Sequence, residues 1–234
     1  MSIKICFIIP AFNESGSIAN VIDSLQHEYS NSKICVIDDQ SEDQTASIAR
    51  TKGAIVISLK NNLGIGGAVQ TGLLFAKNSD CDIAVQFDGD GQHIASEVDK
   101  IISPLISGEA NYCIGSRWRN KTDYKSSIMR RMGIYILSNL VSSKTKLKFT
   151  DVTSGFRAFD KNTIKLFANQ YSKDYPEVTA ILMASSHNLK ILEVSVDMQN
   201  RAHGKSSINF IAALYYMSLE VFTIIFYPTK RVEK

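Results

Sequence analysis

The 234-residue sequence has few of the features that mark several other protein classes. Its four cysteines, Cys6, Cys35, Cys81 and Cys113, are widely spaced and form no CxxC pair, so we interpret them as reduced packing residues of a cytosolic protein. The formal net charge is only +3 and no dense Lys/Arg block occurs, which argues against a nucleic-acid binder. No signal peptide is visible, because the first residues lead straight into a strand-like run.

The composition is that of a globular protein with a substantial core, with 44% hydrophobic and 21% charged residues. Its length fits one large domain, or one domain with a small appendage. Short apolar runs alternate with helix-like segments in the first half, at a spacing of about 25 to 30 residues. Because the runs are continuously apolar, they predict a largely parallel sheet covered on both faces. The strand-like runs are 5–9, 34–37, 54–59, 83–87 and 112–114, with later strands expected within 151–160 and 193–197.

Helix-like segments lie between these runs. Residues 66–77 and 96–106 have helical spacing, and Pro104 is expected to break the second segment. Ser41 and Gln44 have the spacing of a capping box, which predicts a helix that begins beside them. Residues 121–148 combine many Lys and Arg residues with helical apolar spacing.

The last segment, 208–227, is mostly apolar and is followed by basic residues. A membrane-spanning helix needs about 20 apolar residues, so the length is marginal, and Asn209, Ser218 and Glu220 argue against a simple span. Two interpretations remain open: a helix in the cytoplasmic membrane interface, or a helix packed on the core of the domain.

Polar residues follow three of the predicted strands, at 10–14, 38–41 and 88–90. The carboxyl ends of strands in an open parallel sheet form a ligand crevice, so we expect these residues at one edge. Asp88 and Asp90 could share a divalent cation with a nucleotide diphosphate, because hard cations prefer oxygen ligands. For this motif alone, the alternative is an Asp-Gly turn that merely ends a strand.

A glycine-rich stretch, 61–68, leads into a predicted helix, where backbone amides can approach an anion. A Rossmann dinucleotide motif does not fit this stretch. Gly64 and Gly66 are followed by Val69 at the sixth position, and Leu63 closes an asparagine-rich turn rather than the first strand.

Taken in order, these motifs resemble those of the family 2 glycosyltransferases of the GT-A fold. Within that family, they resemble the polyprenyl-phosphate (dolichyl-phosphate mannose synthase-like) branch. The resemblance covers nearly the whole chain and is carried by residues 9–14, 37–45, 62–68, 88–93, 115–117, 151–157 and 201–207. It implies an α/β GT-A nucleotide-sugar-binding fold over 1–207, with a mostly parallel sheet flanked by helices. Residues 1–117 would bind the nucleotide, residues 118–207 would bind the acceptor, and 208–234 would form an apolar helix and basic tail.

The resemblance also implies roles for individual residues. A nucleotide sugar, expected to be a UDP-sugar, would be bound by Pro10, Phe12, Glu14, Asp39, Gly66, Asp88, Arg201 and Lys205. Mg²⁺ or Mn²⁺ would be faced by Asp88, Asp90 and Gln92 and would stabilise the leaving nucleotide as a Lewis acid. Arg201, helped by Lys205, would close over the diphosphate.

The acceptor is expected to be a polyprenyl phosphate, glycosylated with inversion at the inner face of the cell membrane for cell-surface polysaccharide synthesis. Arg117, Arg130 and Arg131 sit where the lipid-phosphate branch places its acceptor arginines, and Arg suits phosphate geometry. If the acceptor is instead a hydroxyl of a glycan or lipid-linked saccharide, a general base is needed, with Glu177 or Asp151 as candidates. Homo-oligomerisation stays open.

Two residues depart from the pattern that the resemblance implies. Gln40 replaces the usual glycine after the paired aspartates, and Thr179 replaces a second carboxylate, which weakens the case for a base at that position. Two rival classes also remain. A nucleotidyltransferase would want a basic glycine-rich loop, but 10–17 contains no Lys or Arg. A non-catalytic sugar-nucleotide-binding scaffold is disfavoured by the intact Asp88 and Asp90.

Overall fold

The computed structural model describes residues 3–118, 128–172, 176–199 and 210–228, without the side chains of Ile128, Arg130 and residues 210–216. The strands are β1 (Ile5–Ala11), β2 (Lys33–Asp38), β3 (Ile55–Ser58), β4 (Ile83–Gln86), β5 (Tyr112–Ser116), β6 (Arg157–Asp160) and β7 (Ile191–Ser195). The helices are α1 (Ile18–Glu28), α2 (Thr45–Thr51), α3 (Gly64–Asn78), α4 (Val98–Ile106), α5 (Ile128–Thr145), α6 (Lys161–Asn169), α7 (Pro176–Ser186) and α8 (Phe210–Phe226).

All seven of these strands form one sheet in the order β3-β2-β1-β4-β6-β5-β7. Every strand pair is parallel except those of β6, which runs antiparallel to β4 and β5. The prediction of a mostly parallel sheet is therefore confirmed. The strand expected within 151–160 is confined to β6, and residues 151–156 before it form neither helix nor strand.

The apolar strands have a hydrophobic core on each face of the sheet. In β1, Cys6 and Ile8 belong to one buried cluster, and Phe7 and Ile9 belong to the other, as expected for side chains that alternate across a strand. This two-sided burial explains why the strand sequences are continuously apolar. All four cysteines are buried within these cores.

Two details of the predicted helices are wrong. Ser41 does not cap α2: its hydroxyl accepts a hydrogen bond from Asn13 N–H at 3.0 Å, while Asp43 Oδ1 accepts from Thr45 N–H at 2.9 Å. Pro104 does not break α4, which continues to Ile106. Pro104 lies two residues before the end of α4, so the one backbone hydrogen bond that it cannot donate is lost close to the helix end.

The C-terminal helix α8 packs on the domain through part of its surface. Ile224 is buried in the core on one face of the sheet. α8 also contacts α5: a Cβ at Gly133 would meet Met217 Sδ at 2.7 Å, and Lys144 Nζ donates to the carbonyl oxygen of Ile225 at 2.8 Å. Within the described parts of the chain, no helix is both long and apolar enough to cross a membrane.

Candidate active site

A cavity of about 530 Å³ opens where the carboxyl ends of β1, β2 and β4 meet. This confirms the expectation that the polar ends of three strands lie at one edge. The predicted site residues that line it are Pro10, Phe12, Glu14, Asp39, Asp88, Asp90, Gln92, Arg117 and Glu177.

The remaining predicted site residues lie elsewhere. Gly66 is buried in the first turn of α3, next to the cavity-lining Ile65. Asp151 is fully buried behind Arg117, and Arg131 lies on α5 outside the cavity lining. The predicted roles of Arg201, Lys205 and the Arg130 side chain fall outside the described residues.

The end of β2 is fastened to the start of α3. Asp39 Oδ1 accepts a hydrogen bond from Leu63 N–H at 2.7 Å, and Gln40 Oε1 accepts one from Asn62 N–H at 2.9 Å. Gln40 has φ of +66°, a left-handed conformation that favours glycine. The departure at this position therefore preserves the turn, and the glutamine side chain adds a hydrogen bond that glycine could not make.

The turn that carries Asp88 and Asp90 is held by His93 and Ser17. His93 Nδ1 accepts from Asp88 N–H at 3.0 Å, its Nε2 lies 3.5 Å from Asp88 Oδ2, and its ring stacks on Phe156. Burial lowers the pKa of His93 to about 4, although the Asp90 charge opposes this, so the imidazole is neutral at neutral pH. Ser17 Oγ donates to the Gly89 carbonyl at 2.7 Å.

The sequence patterns did not identify His93 and Ser17 as individual site residues. His93 belongs to the motif that starts at Asp88, but its packing beneath the turn could not be inferred from spacing. Ser17 lies 72 residues before Gly89 in sequence, and no local pattern connects the two.

The acidic side of the cavity fits a hard divalent cation. Asp88, Asp90 and Gln92 offer oxygen ligands, and Asp90 Oδ1 also accepts from Gln92 N–H at 3.0 Å. Among the described residues, no group of three or more His, Cys, Asp or Glu side chains could hold a metal. Proteins usually bind Mg²⁺ through one or two carboxylates, and substrate phosphates complete the coordination shell of the cation. The residues present therefore fit a Mg²⁺ or Mn²⁺ that is shared with a diphosphate.

Arg117 lines the same cavity and is ion-paired with Asp151. Its Nε and Nη2 donate to the two carboxylate oxygens at 2.6 and 2.8 Å, and both side chains are almost entirely buried. Burial alone would raise the pKa of Asp151, but the charge and hydrogen bonds of Arg117 outweigh it and hold this pKa below its usual value. A carboxylate that is held in an ion pair with a lowered pKa is a poor general base. The geometry of the pair therefore favours a different role for Asp151, which is to orient Arg117.

A second carboxylate supports the loop that carries Asp151. Glu193 on β7 is buried and accepts hydrogen bonds from the backbone N–H groups of Thr150 and Asp151, the latter at 2.7 Å. Burial raises the pKa of Glu193, and these hydrogen bonds partly oppose the rise. Glu193 therefore fixes the loop from behind, and Asp151 in turn fixes Arg117.

Arg157 on β6 organises the other wall of the cavity. It is fully buried and donates to the carbonyl oxygens of Ser154, Val152 and Glu177 at 2.6, 2.8 and 2.8 Å, and to the hydroxyl of Tyr112. One guanidinium thus ties the 151–156 loop to the first turn of α7. Arg suits this task because its five N–H donors have a fixed planar geometry.

Glu177 lines this part of the cavity. Burial raises the pKa of Glu177, the Asp88 charge raises it further, and the Arg157 guanidinium partly opposes both. A carboxyl with a raised pKa can accept a proton near neutral pH, which keeps Glu177 chemically eligible as a base.

Arg131 on α5 contacts Trp118, the residue that directly follows Arg117. Its Cζ lies 4.8 Å from the centroid of the Trp118 ring, within the range of a cation–π contact. Because Trp118 is adjacent to Arg117 in sequence, this contact holds the start of α5 near the cavity.

Comparison with protein-family models gives a match to "Glycosyl transferase family 2" over residues 6–167. A UDP-N-acetylglucosamine–dolichyl-phosphate N-acetylglucosaminyltransferase of Methanococcus voltae is 35% identical over 213 residues, which cover 82% of this chain and 84% of that protein. An undecaprenyl-phosphate mannosyltransferase of Micrococcus luteus is 26% identical over 217 residues, which cover 88% of each.

Among solved structures, glucosyl-3-phosphoglycerate synthase from Mycobacterium tuberculosis is similar in fold. Its complex with Mn²⁺, UDP-glucose and phosphoglyceric acid superposes with a TM-score of 0.72 at 20% identity, over 96% of this chain and 79% of that one. The seven-stranded sheet and its flanking helices, as far as the structure describes them, are the GT-A fold.

Proposed function

Because this chain belongs to glycosyl transferase family 2 and is a glycosyltransferase, we propose that it transfers a sugar from a UDP-sugar to a polyprenyl phosphate. The reaction would be metal-dependent, would invert the anomeric configuration and would serve cell-surface polysaccharide synthesis. The relatives that act on dolichyl and undecaprenyl phosphate support this acceptor.

The observation that carries the proposal is the charge arrangement of the cavity. Asp88 and Asp90 line it on one side, and Arg117, almost entirely buried, lines it as well. The acidic side suits a cation and diphosphate, whereas a guanidinium suits a second phosphate. A site for two anionic groups matches a sugar diphosphate donor with a phosphate acceptor.

On the donor side, Pro10, Phe12, Glu14 and Asp39 would hold the nucleoside. Asp88, Asp90 and Gln92 would hold Mg²⁺ or Mn²⁺, which when bound neutralises charge on the departing diphosphate. Ser17 and His93 keep the turn in place, because they bind its backbone directly.

On the acceptor side, Arg117 would orient the lipid phosphate, with Arg131 close by on α5. The phosphate oxygen is ionised near neutral pH, so it can attack the anomeric carbon without a base. Attack on the face opposite the leaving diphosphate inverts the configuration. Asp151 has a positioning role here, since it fixes the Arg117 guanidinium through two hydrogen bonds.

The protein would work at the inner face of the cell membrane as a peripheral protein. The helices α5 and α8 pack against each other. Support comes from the large apolar side chains that these two helices leave exposed: Met129, Met132, Tyr135, Ile136, Phe222, Ile225 and Phe226. Exposed apolar clusters of this kind mark interaction surfaces, and a helix face of this composition can enter the headgroup boundary.

We expect Phe222→Ser combined with Phe226→Ser to weaken binding to anionic phospholipid vesicles at least about tenfold, because each exposed phenyl ring contributes apolar area on insertion. Vesicle flotation measures this. The control is Ile106→Ser, a change at a similarly exposed apolar residue on α4. Equal flotation of the double variant and the wild type would rule out this face.

Transfer to a sugar hydroxyl is the second candidate, favoured by the raised pKa of Glu177 in the cavity. The two acceptors predict different effects of Glu177→Gln. With a phosphate acceptor, the transfer rate should fall by less than about tenfold, whereas loss of a general base costs about 10²–10⁴-fold. The transfer rate at saturating nucleotide sugar measures this effect. The control is Glu109→Gln, a change at an exposed glutamate. A loss above about 100-fold would favour the hydroxyl acceptor.

A further inference from the structure

One buried polar atom of the cavity, the amide oxygen of Gln86, has no hydrogen-bond partner among the described residues. Gln86 ends β4 and is 2% exposed, and its Oε1 accepts no hydrogen bond within the described part of the chain. Burying an amide oxygen unpaired costs free energy that a folded protein normally avoids. Because Gln86 also lines the cavity, the group that pairs with this oxygen can come from a bound ligand.

The chemistry of the oxygen limits what that ligand group can be. An amide oxygen either accepts a hydrogen bond from a hydroxyl or an N–H, or coordinates a cation. An ionised phosphate offers neither, which excludes the diphosphate and the acceptor phosphate. The remaining candidates are a hydroxyl of the transferred sugar, a donor on the nucleoside and the proposed cation, and weaker binding of UDP with Mn²⁺ by a Gln86 variant would indicate either of the last two.

The position of Gln86 favours the sugar. Its register partners are Ile8 of β1 and Arg157 of β6, so it lies near the middle of the sheet. Asp39, which is on the nucleoside side, follows β2, and β2 lies two strands away from β4 in the sheet. At about 4.8 Å per strand, Asp39 is therefore roughly 10 Å from Gln86. Glu177, on the opposite side, is anchored through its carbonyl to Arg157, the neighbour of Gln86.

A glycine keeps this part of the cavity open. A Cβ at Gly155 would lie 2.7 Å from Asp88 Oδ2, closer than atoms pack, so a side chain there would displace the carboxylate. Gly155 and Gln86 both line the cavity, as does Asp88, which is a proposed cation ligand. The space they border adjoins the diphosphate position, where the sugar is attached.

We propose that Gln86 Oε1 accepts a hydrogen bond from a hydroxyl of the transferred sugar, which makes Gln86 a specificity-determining residue for the donor. This inference rests on the proposed function, since it takes a nucleotide sugar as the donor. The buried oxygen lowers the stability of the empty protein and is satisfied when the sugar binds.

The test compares wild type and Gln86→Leu by calorimetric titration with Mn²⁺ and, in turn, UDP, UDP-glucose and UDP-N-acetylglucosamine. Affinity for UDP should change by less than about twofold, whereas the nucleotide sugar that binds best should bind about five- to tenfold more weakly, as for one lost hydrogen bond. One deoxy analogue of that sugar should bind both proteins equally. Without ligand, the variant should melt about 2–4 °C higher, because an unpaired buried oxygen is gone.

The matched control is Gln70→Leu on α3, which lies outside the cavity lining and donates to the carbonyl of Ala168. It should leave all these affinities unchanged. Equal weakening of UDP and UDP-sugar binding by Gln86→Leu would overturn the inference, as would a wild type that binds every nucleotide sugar no better than UDP. Binding needs no acceptor. A protein that passes this test but does not glycosylate polyprenyl phosphate would therefore contradict only the proposed acceptor.

Discussion

Replacing Asp90 by alanine should reduce sugar transfer at least about 10³-fold while the protein stays folded. Asp90 lines the cavity beside Asp88 and Gln92, and no larger set of metal-binding side chains exists in the described residues to replace it. A bound cation supplies several kcal/mol of stabilisation to a developing negative charge, which corresponds to a loss of this size. Because Asp90 is only partly buried, its removal should cost little stability.

The measurement is the transfer rate as a function of Mn²⁺ or Mg²⁺ concentration, with the melting temperature as the check on folding. Asp82→Ala is the matched control, because Asp82 directly precedes the same strand at its opposite end. We also expect UDP binding by the Asp90 variant to lose its dependence on metal. Substantial metal-supported turnover by Asp90→Ala would refute the metal assignment.

Replacing Arg117 by alanine should have two large effects, one on transfer and one on folding. Transfer should fall at least about 10³-fold if this guanidinium orients the acceptor phosphate. Stability should fall by about 3–5 kcal/mol, because Asp151 would be left buried without its ion-pair partner. Chemical denaturation and the transfer rate measure the two effects separately.

A double variant separates the two effects. In Arg117→Gln combined with Asp151→Asn, a neutral amide pair can hydrogen-bond in place of the ion pair and leaves no lone charge buried. It should recover most of the lost stability and bind UDP normally, yet transfer at least about 100-fold more slowly than the wild type. A double variant that is stable and transfers at the wild-type rate would show that Arg117 serves folding alone.

The sheet edge could be predicted from sequence because each part of the signal is local. Continuous apolar runs mark strands buried on both faces, and polar residues directly after them mark the strand ends. These two local patterns are enough to predict that Pro10, Asp39 and Asp88 border one cavity, as they do. The conformation of Gln40 also agrees with the glycine expected at that position.

The contacts that tune the site could not be predicted, because they join residues far apart in sequence. Arg117 and Asp151 are 34 residues apart, and each taken alone fitted a different role: an acceptor ligand and a general base. The antiparallel insertion of β6 brings Arg157 beside Gln86 and sets the wall of the cavity. Gln86 itself reads in sequence as an ordinary polar residue at the end of a strand.

The most direct test of the central claim is the linkage in the product. The protein is incubated with Mn²⁺, a panel of UDP-, GDP- and dTDP-sugars, and either undecaprenyl phosphate or a lipid-linked saccharide, and the lipid fraction is analysed by mass spectrometry, mild acid hydrolysis and NMR of the anomeric proton. The proposed function predicts an acid-labile glycosyl phosphate lipid, formed with inverted configuration from one sugar of the panel. Transfer to a saccharide hydroxyl, with no glycosyl phosphate lipid formed from any donor, would contradict it.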